Sequence, residues 1–370
     1  MRAFSIALGF AAVALWACTS TGASSDGDTP APSGEDGGSS GSSGSDGSSG
    51  SPSGDALPAS TFLYVSRVAA DRDVLMAYDR DSGQARTVTD LRGDGSNGWT
   101  IDGYSLSKDR TRIAAATLYG PTQADVATKL SAQRIWSFAT DGSDFRRLTP
   151  VFENTSQGRA QFQIEVRNPS FSRDGATVFV GYGEYWYEGT SLNGASSIWT
   201  VGAAGDQVPD LFKAPNPCSL VSPSVDPSTG KVAVLHNVCI PGQGQDGIHL
   251  YAEDGSGTPE LLVRSDATLN VMLEPPRWLP DGSGFLFIAV SNNVRGLFAF
   301  DMASRKASPI VLPEAADSRV TDGTIAPDGG SIVYCLREGD ASNLHLIDLT
   351  KDPATDVAIT TDGKSCHPVW

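Results

Sequence analysis

Three features of this 370-residue sequence together predict an all-β fold, a six-bladed propeller closed by pairing of its N- and C-terminal strands. A unit of roughly 50 residues recurs along residues 61–370, within the range of propeller blades. Each unit offers short apolar strands broken by tight polar turns. One unit is split, with half at either end of the repeat region.

The first element of each unit leads into a tight turn, read at Lys108-Asp109, Arg173-Asp174-Gly175, Asp226-Pro227-Ser228, Pro280-Asp281-Gly282 and Pro327-Asp328-Gly329. The second element follows at once. Arg112–Leu118, Ala176–Val180, Lys231–Leu235, Gly284–Val290 and Ser331–Tyr334 are short and mostly rich in β-branched and aromatic residues. Gly, Pro or Asp bounds them, which reads as strand rather than helix. Their almost unbroken apolar character fits a strand covered on both faces.

The third and fourth elements form a hairpin. Ile135-Trp136-Ser137-Phe138 leads to Asp141-Gly142-Ser143, and Ile248-His249-Leu250-Tyr251 leads to Asp254-Gly255-Ser256. Asp-Gly supplies the positive φ angles of a tight hairpin. Further copies begin at Leu75, Ile198, Leu297 and Leu344, giving six hairpins but only five complete first halves. Cys366-His367-Pro368-Val369-Trp370 aligns with Asn168-Pro169-Ser170-Phe171 and Pro276-Arg277-Trp278, so it is expected as an innermost strand beside Phe62–Ser66. That pairing closes the ring and removes its open edges.

The run from Ile135 through Asp141-Gly142-Ser143 to Arg146-Arg147-Leu148-Thr149 resembles the hairpin of TolB-type (WD40-like) propeller repeats. Pro276-Arg277-Trp278-Leu279-Pro280-Asp281-Gly282 resembles their companion element. The resemblance spans residues 61–370 and implies the propeller fold. TolB has an α/β domain before its propeller, where this chain has low-complexity sequence, so the resemblance implies a relative by repeat and carries over none of TolB's partners. A prolyl-oligopeptidase-like enzyme is not expected either, since no hydrolase domain follows Trp370.

Residues 1–17 read as a lipoprotein signal peptide. The apolar run Ala3–Trp16 is shorter than the roughly 20 residues a membrane helix needs. Leu15-Trp16-Ala17-Cys18 resembles a lipobox, with lipid expected on Cys18. Thr19 in place of an acid favours the outer membrane. Residues 19–60, made largely of Gly, Ser, Asp and Pro without Lys or Arg, read as a disordered tether. Gly37-Gly38-Ser39-Ser40-Gly41 matches a nucleophile-elbow pattern by composition only, having neither the strand nor the helix of that motif.

The net charge of −16 argues against nucleic acid as a partner. Export permits disulfides. Counting outward from the turn at Pro227 sets Cys218 opposite Cys239, and Cys335 and Cys366 approach one face of adjoining inner strands. Buried free thiols are the alternative.

Binding residues are sought on the face opposite the tight turns, on the connections Tyr119–Arg134, Val151–Arg167, Gly181–Ser197 and Asn237–Gly247. Tyr182, Tyr185, Trp186 and Tyr187 cluster with Glu184 and Glu188, a composition suited to a sugar or a protein partner. The bland reading folds these rings onto their own blade. Register places Arg167, His236, Arg277, Arg337 and His367 around the channel mouth, where the arginines would grip an anion or bridge blades. Thr122–Gln133 has the pattern of a short amphipathic helix.

Four scattered histidines give no metal spacing, and no cofactor is expected. Asp79-Arg80-Asp81-Ser82-Gly83 mimics a calcium loop but lacks its downstream Glu. The expectation is a non-enzymatic, lipid-anchored envelope module that meets the membrane through its anchor and binds a protein or glycan. The alternative is a propeller enzyme of lyase, cyclase or lactonase type acting in the central channel.

Overall fold

In each blade the apolar strands point alternate residues toward two different neighbours, which is why they read as apolar throughout. In the strand Thr61–Ala69, Leu63 and Val65 pack toward the following blade, while Phe62 and Tyr64 pack toward the preceding one. Ile332 and Tyr334 divide from Val333 and Cys335 in the same way. Six apolar clusters result, each between two adjacent blades. Each fully buried Phe, Leu or Ile contributes about 1.5–3 kcal/mol.

The structure, a computed structural model, describes residues 55–69, 72–89, 99–119, 133–149, 160–189, 191–205, 209–213, 217–351 and 354–370. The expected signal peptide, Cys18, the expected linker up to residue 54 and residues 122–132 of the expected helix lie outside them. Gln133 opens the strand Gln133–Ala139.

Among the described residues the strands form six antiparallel sheets arranged as propeller blades. Blade 1 runs outward as Ser365–Val369, Thr61–Ala69, Arg72–Asp79 and Gln84–Thr89, so both chain ends build one sheet. Leu63 faces Val369 and Val65 faces Cys366 across the closure. The innermost strands of blades 2, 3, 4 and 6 are Trp99–Leu106, Ala160–Phe171, Ser219–Val225 and Ser318–Ile325. Blade 5 has Asn270–Val271 and Arg277–Trp278 in that place. Disulfides join Cys335 to Cys366, tying blade 6 to the closure strand, and Cys218 to Cys239 in blade 4.

Two expectations change. Gly181–Ser197 is a regular hairpin, Thr177–Glu188 paired with Ser191–Gly202, and Ala160–Phe171 completes a three-stranded ribbon. The irregular connections expected at Gly181–Ser197 and, from residue 160, in Val151–Arg167 are therefore strands. Tyr182, Glu184, Trp186 and Glu188 share one face of the strand, and ladder pairing overrides the low strand preference of Gly183 and Gly194. Secondly, the linker's last residues belong to the propeller. Leu57 is buried, Arg110 Nε donates to its carbonyl at 2.9 Å, and Thr140 Oγ1 donates to Asp55 O at 2.9 Å.

Candidate functional site

Every inner strand except that of blade 5 carries a register shift near its middle, and one repeat position recurs there. Three residues before the last inner apolar residue of each blade stand Gly103, Asn168, Ser222, Pro275, Asp322 and His367. Asn168, Ser222 and His367 have φ of 49°, 54° and 53°, and Gly103 has 120°. That left-handed backbone is a bulge device. A Cβ on Gly103 would stand 2.6 Å from Asn168 Oδ1, so only glycine fits.

These residues join into a polar girdle around the lumen. Asn168 Nδ2 donates to Ser222 Oγ at 2.9 Å, and Ser222 Oγ donates to the Leu273 carbonyl. Arg277 in blade 5 meets Asp322 in blade 6 at 3.4 Å, and His367 in blade 1 meets the same carboxylate at 3.4 Å. Tyr104 in blade 2 donates its hydroxyl to His367 O at 2.5 Å. Arg277 also reaches across the ring, making a long 3.5 Å contact with Tyr104 O in the opposite blade. The guanidinium therefore bars the channel at its midpoint.

The charges follow from this geometry. Burial alone would raise the Asp322 carboxyl, but Arg277 and His367 override it and hold the group below the usual carboxylate range. Burial opposes charge on His367, yet its bond to Asp322, aided by the field of Glu274, raises its pKa. The His367 ring lines the lumen, 47% of its side chain remaining accessible although protein surrounds it. Burial raises the Glu274 carboxyl against the pull of its partner Arg295.

The other predicted residues separate. Arg167 bridges blades 2 and 3 through Asp102 at 2.8 Å and also meets Glu165 at 2.9 Å. Arg337 turns to Gly339 O and Asp340 at the end of its strand. His236 is not at the channel mouth. It lies buried within blade 4, bonded to Tyr251 at 2.7 Å and stacked on His249 with ring centres 3.7 Å apart. It stands on the second strand of blade 4, Val232–Asn237, and not on the inner strand that lines the lumen. Burial, then the neighbouring His249, pushes its pKa down to about 3.

The aromatic cluster sits on the ribbon of blade 3. Tyr182 packs on Trp199 and donates to Glu184 at 3.1 Å. Two residues on, Trp186 donates its indole N–H to Glu188 at 3.0 Å, repeating the pair along one face. Tyr185 takes the other face, where its ring lies against Gly183 and Gly194. Tyr187 is paired through its backbone with Ala160 and Leu192.

Comparison with solved structures decides the type of propeller. TolB from Acinetobacter baumannii superposes with a TM-score of 0.57 at 17% identity, over 84% of this chain and 66% of that one. The fold is a TolB-type β-propeller. The chain spans 66% of that TolB's length and 88% of a TolB-like protein from Agrobacterium tumefaciens, which matches 81% of this chain at a TM-score of 0.50 and 13% identity. An oligogalacturonate lyase from Vibrio parahaemolyticus shares the fold at a TM-score of 0.50 and 13% identity, over 84% of this chain and 80% of its own. No protein-family model and no curated protein matches the sequence.

Within this TolB-type propeller, sequence reading named Arg277 and His367 but missed Asp322, Tyr104, Asn168 and Ser222, which complete the girdle. Asp322, Asn168 and Ser222 share one signal, a position in the repeat three residues before the last inner apolar residue, and Tyr104 follows the glycine that holds it in blade 2. Residue type conceals it, because Gly, Asn, Ser, Pro, Asp and His occupy the six copies.

Proposed function

We propose that the protein is a cell-envelope binding module, held to the membrane by lipid on Cys18, whose propeller presents the blade 3 ribbon to a protein or glycan partner. The observation that carries this reading is the ribbon itself. Its two hairpin strands have 12 residues each, against 8 in the corresponding strands of blades 5 and 6. Four extra residues carry it about 13 Å further at the rise of a β-strand. Trp186 near the tip is half-buried and oriented by Glu188. A rigid indole in that position is a suitable anchor for a partner.

The signal sequence and the likeness to TolB structures support an envelope location. A lyase-type reading would draw its acid or base from Asp322, His367 and Arg277, of which His367 and Arg277 both bond to the Asp322 carboxylate. A photoreactive residue at Trp186, with Ser283 on the tight-turn face as control, tests the binding surface in cells. Capture of one discrete species from Trp186 alone is expected; equal capture from both positions removes the ribbon as the site. Separately, Cys18→Ser should release the protein from the membrane fraction, and unchanged sedimentation would overturn the anchor.

A further inference from the structure

Beneath the girdle, toward the tight turns, the lumen widens into a cavity of about 340 Å³ to which all six inner strands contribute. Its wall is built in tiers, one repeat position to each. Two residues past the girdle stand Ser105, Ser170, Ser224, Arg277, Thr324 and Val369. Three of the four hydroxyls in this tier stitch neighbouring blades together. Val225 N–H donates to Ser170 Oγ at 3.0 Å, Trp370 N–H donates to Thr324 Oγ1 at 3.2 Å, and Ser224 Oγ donates to Pro276 O at 2.6 Å.

The two remaining polar members do not complete such bonds. Ser105 is 9% exposed, and its Oγ has no partner among the described residues. Arg277 Nε is buried and likewise unpartnered, although its terminal nitrogens contact Asp322 and Tyr104. A buried polar atom left unbonded costs about 1–3 kcal/mol, so two of them on one small cavity are a reason to look for a ligand.

The rim adds charge on one side only. At the turn position, blades 2 and 3 place Lys108 and Arg173, whereas blades 4, 5 and 6 place Pro227, Pro280 and Pro327. Lys108 and Arg173 donate to the carbonyls of Pro227 and Ser228, and among the described residues neither pairs with a carboxylate. Among the described residues no Asp or Glu lines the cavity, in a chain whose net charge is −16. The aspartates of these turns accept from their own turns, as Asp174 does from Ala176 N–H at 3.0 Å. Between rim and hydroxyl tier lies an apolar belt that includes Phe171, Trp278 and Trp370.

We propose that this well binds a compact organic anion. Its acidic group would sit between Arg277 Nε, Ser105 Oγ and the Lys108–Arg173 side of the rim, and its apolar body would lie against Trp278 and the rim prolines. The site is on the face opposite the blade 3 ribbon and does not depend on that ribbon's role. The volume lies at the small end of ligand pockets, which span roughly 300–1,000 Å³. It therefore suits a single-ring acid rather than a polymer.

Fluorine NMR of the purified full-length protein tests the assignment with three probes of one shape: 4-fluorobenzoate, 4-fluorophenyl phosphate and the neutral 4-fluorobenzyl alcohol. The expected result is saturable broadening of at least one anion and none of the alcohol. Preference for benzoate or for the phosphate identifies the acidic group. Lys108→Gln and Arg173→Gln, both on exposed turns and so compatible with folding, should each weaken anion binding about tenfold, the worth of one charge-assisted hydrogen bond. Ser105→Ala tests the buried hydroxyl with little change of volume and should also weaken it. Equal response to the alcohol, binding unchanged in all three variants, or no broadening of any probe would overturn the proposal.

Discussion

The two faces of the ring are built by opposite rules. On the tight-turn face every complete copy of the repeat solves one problem in one way: an acidic side chain accepts the N–H two residues on. Asp109 accepts from Thr111 at 3.2 Å, Asp226 from Ser228 at 2.8 Å, Asp281 from Ser283 at 2.9 Å and Asp328 from Gly330 at 2.8 Å. On the other face the connections differ in length and course, although blades 5 and 6 both close with two-residue turns, at Asn292-Asn293 and Gly339-Asp340. Blade 3 extends a ribbon, blade 4 folds Cys239 back onto Cys218, and blade 5 turns at Asn292-Asn293 with φ of 52° and 64°. Repetition marks what holds the ring together, and departures from it mark where chemistry has been placed. The same rule operates inside the channel. Three of the four hydroxyls that repeat are interblade stitches, and Arg277, which breaks the series, bars the lumen.

The largest expected effect lies where these rules meet, at Asp322. Asp322→Ala strips Arg277 and His367 of a shared buried carboxylate and should cost about 3–5 kcal/mol in urea unfolding. A loss below about 1 kcal/mol would make the girdle ornamental rather than structural. The pair also sets a pH window. The folded pKa of His367 is raised above 6.5, so its contribution is complete below that value and is lost as pH rises through the folded pKa. The folded pKa of Asp322 is depressed below 3.8, so its contribution is present above that value and is lost as pH falls through the folded pKa. Titration by NMR should show His367 with a pKa above 6.5 in the native protein, falling in Asp322→Asn. An unmoved His367 would uncouple the two.

Ring closure comes next. Cys335 and Cys366 are 31 residues apart, and their bond ties blade 6 to a strand of only five residues. Cys335→Ser with Cys366→Ser should cost about 3–4 kcal/mol from loop entropy. Cys218→Ser with Cys239→Ser, spanning 21 residues inside one blade, should cost slightly less. Thermal unfolding of the two double variants ranks them. The reverse order would mean that the closure strand is held by Trp370 and its neighbours rather than by the staple.

Most of this architecture was legible because a blade buries both faces of its strands, and the apolar runs therefore announce themselves. The blade 3 ribbon was not. Gly183, Gly194 and the Ser and Asn residues of 191–197 are poor strand formers, and only pairing along the whole ladder makes them strands. His236 was misplaced for a different reason: it stands on the second strand of blade 4, and only the inner strand borders the lumen. Arg277 and His367 were found because cations are conspicuous. Asn168, Ser222 and Ser105 were not, because a small polar residue in a strand has no signature until its neighbours are known.

A smaller effect is expected at a single tight turn. Asp226 accepts from Ser228 N–H, Ser228 Oγ and Thr229 Oγ1 while buried. Asp226→Ala should cost about 1–2 kcal/mol, the worth of a lost capping acceptor. Thermal unfolding checks it, and a cost above that of Asp322→Ala would reverse the ranking of turn and girdle.

The smallest effect carries the sharpest test of the contrast between faces. Tyr185 and Trp186 are neighbours on one strand, yet they point to opposite faces of the ribbon. Tyr185 covers two glycines and approaches Ser196 Oγ at 3.3 Å, so its ring replaces side chains the hairpin lacks. Tyr185→Ala should destabilise by about 1–2 kcal/mol. Trp186 is oriented by Glu188 within its own face. Trp186→Ala should cost no more than about 0.5 kcal/mol in thermal unfolding, while abolishing partner capture by a photoreactive residue placed at Asn193, across the ladder from it. If both substitutions cost the same stability, the ribbon is scaffold like the turns opposite it. If only Tyr185 matters to folding, one strand separates the two tasks, the tyrosine holding the ribbon together and the tryptophan presenting its outer face.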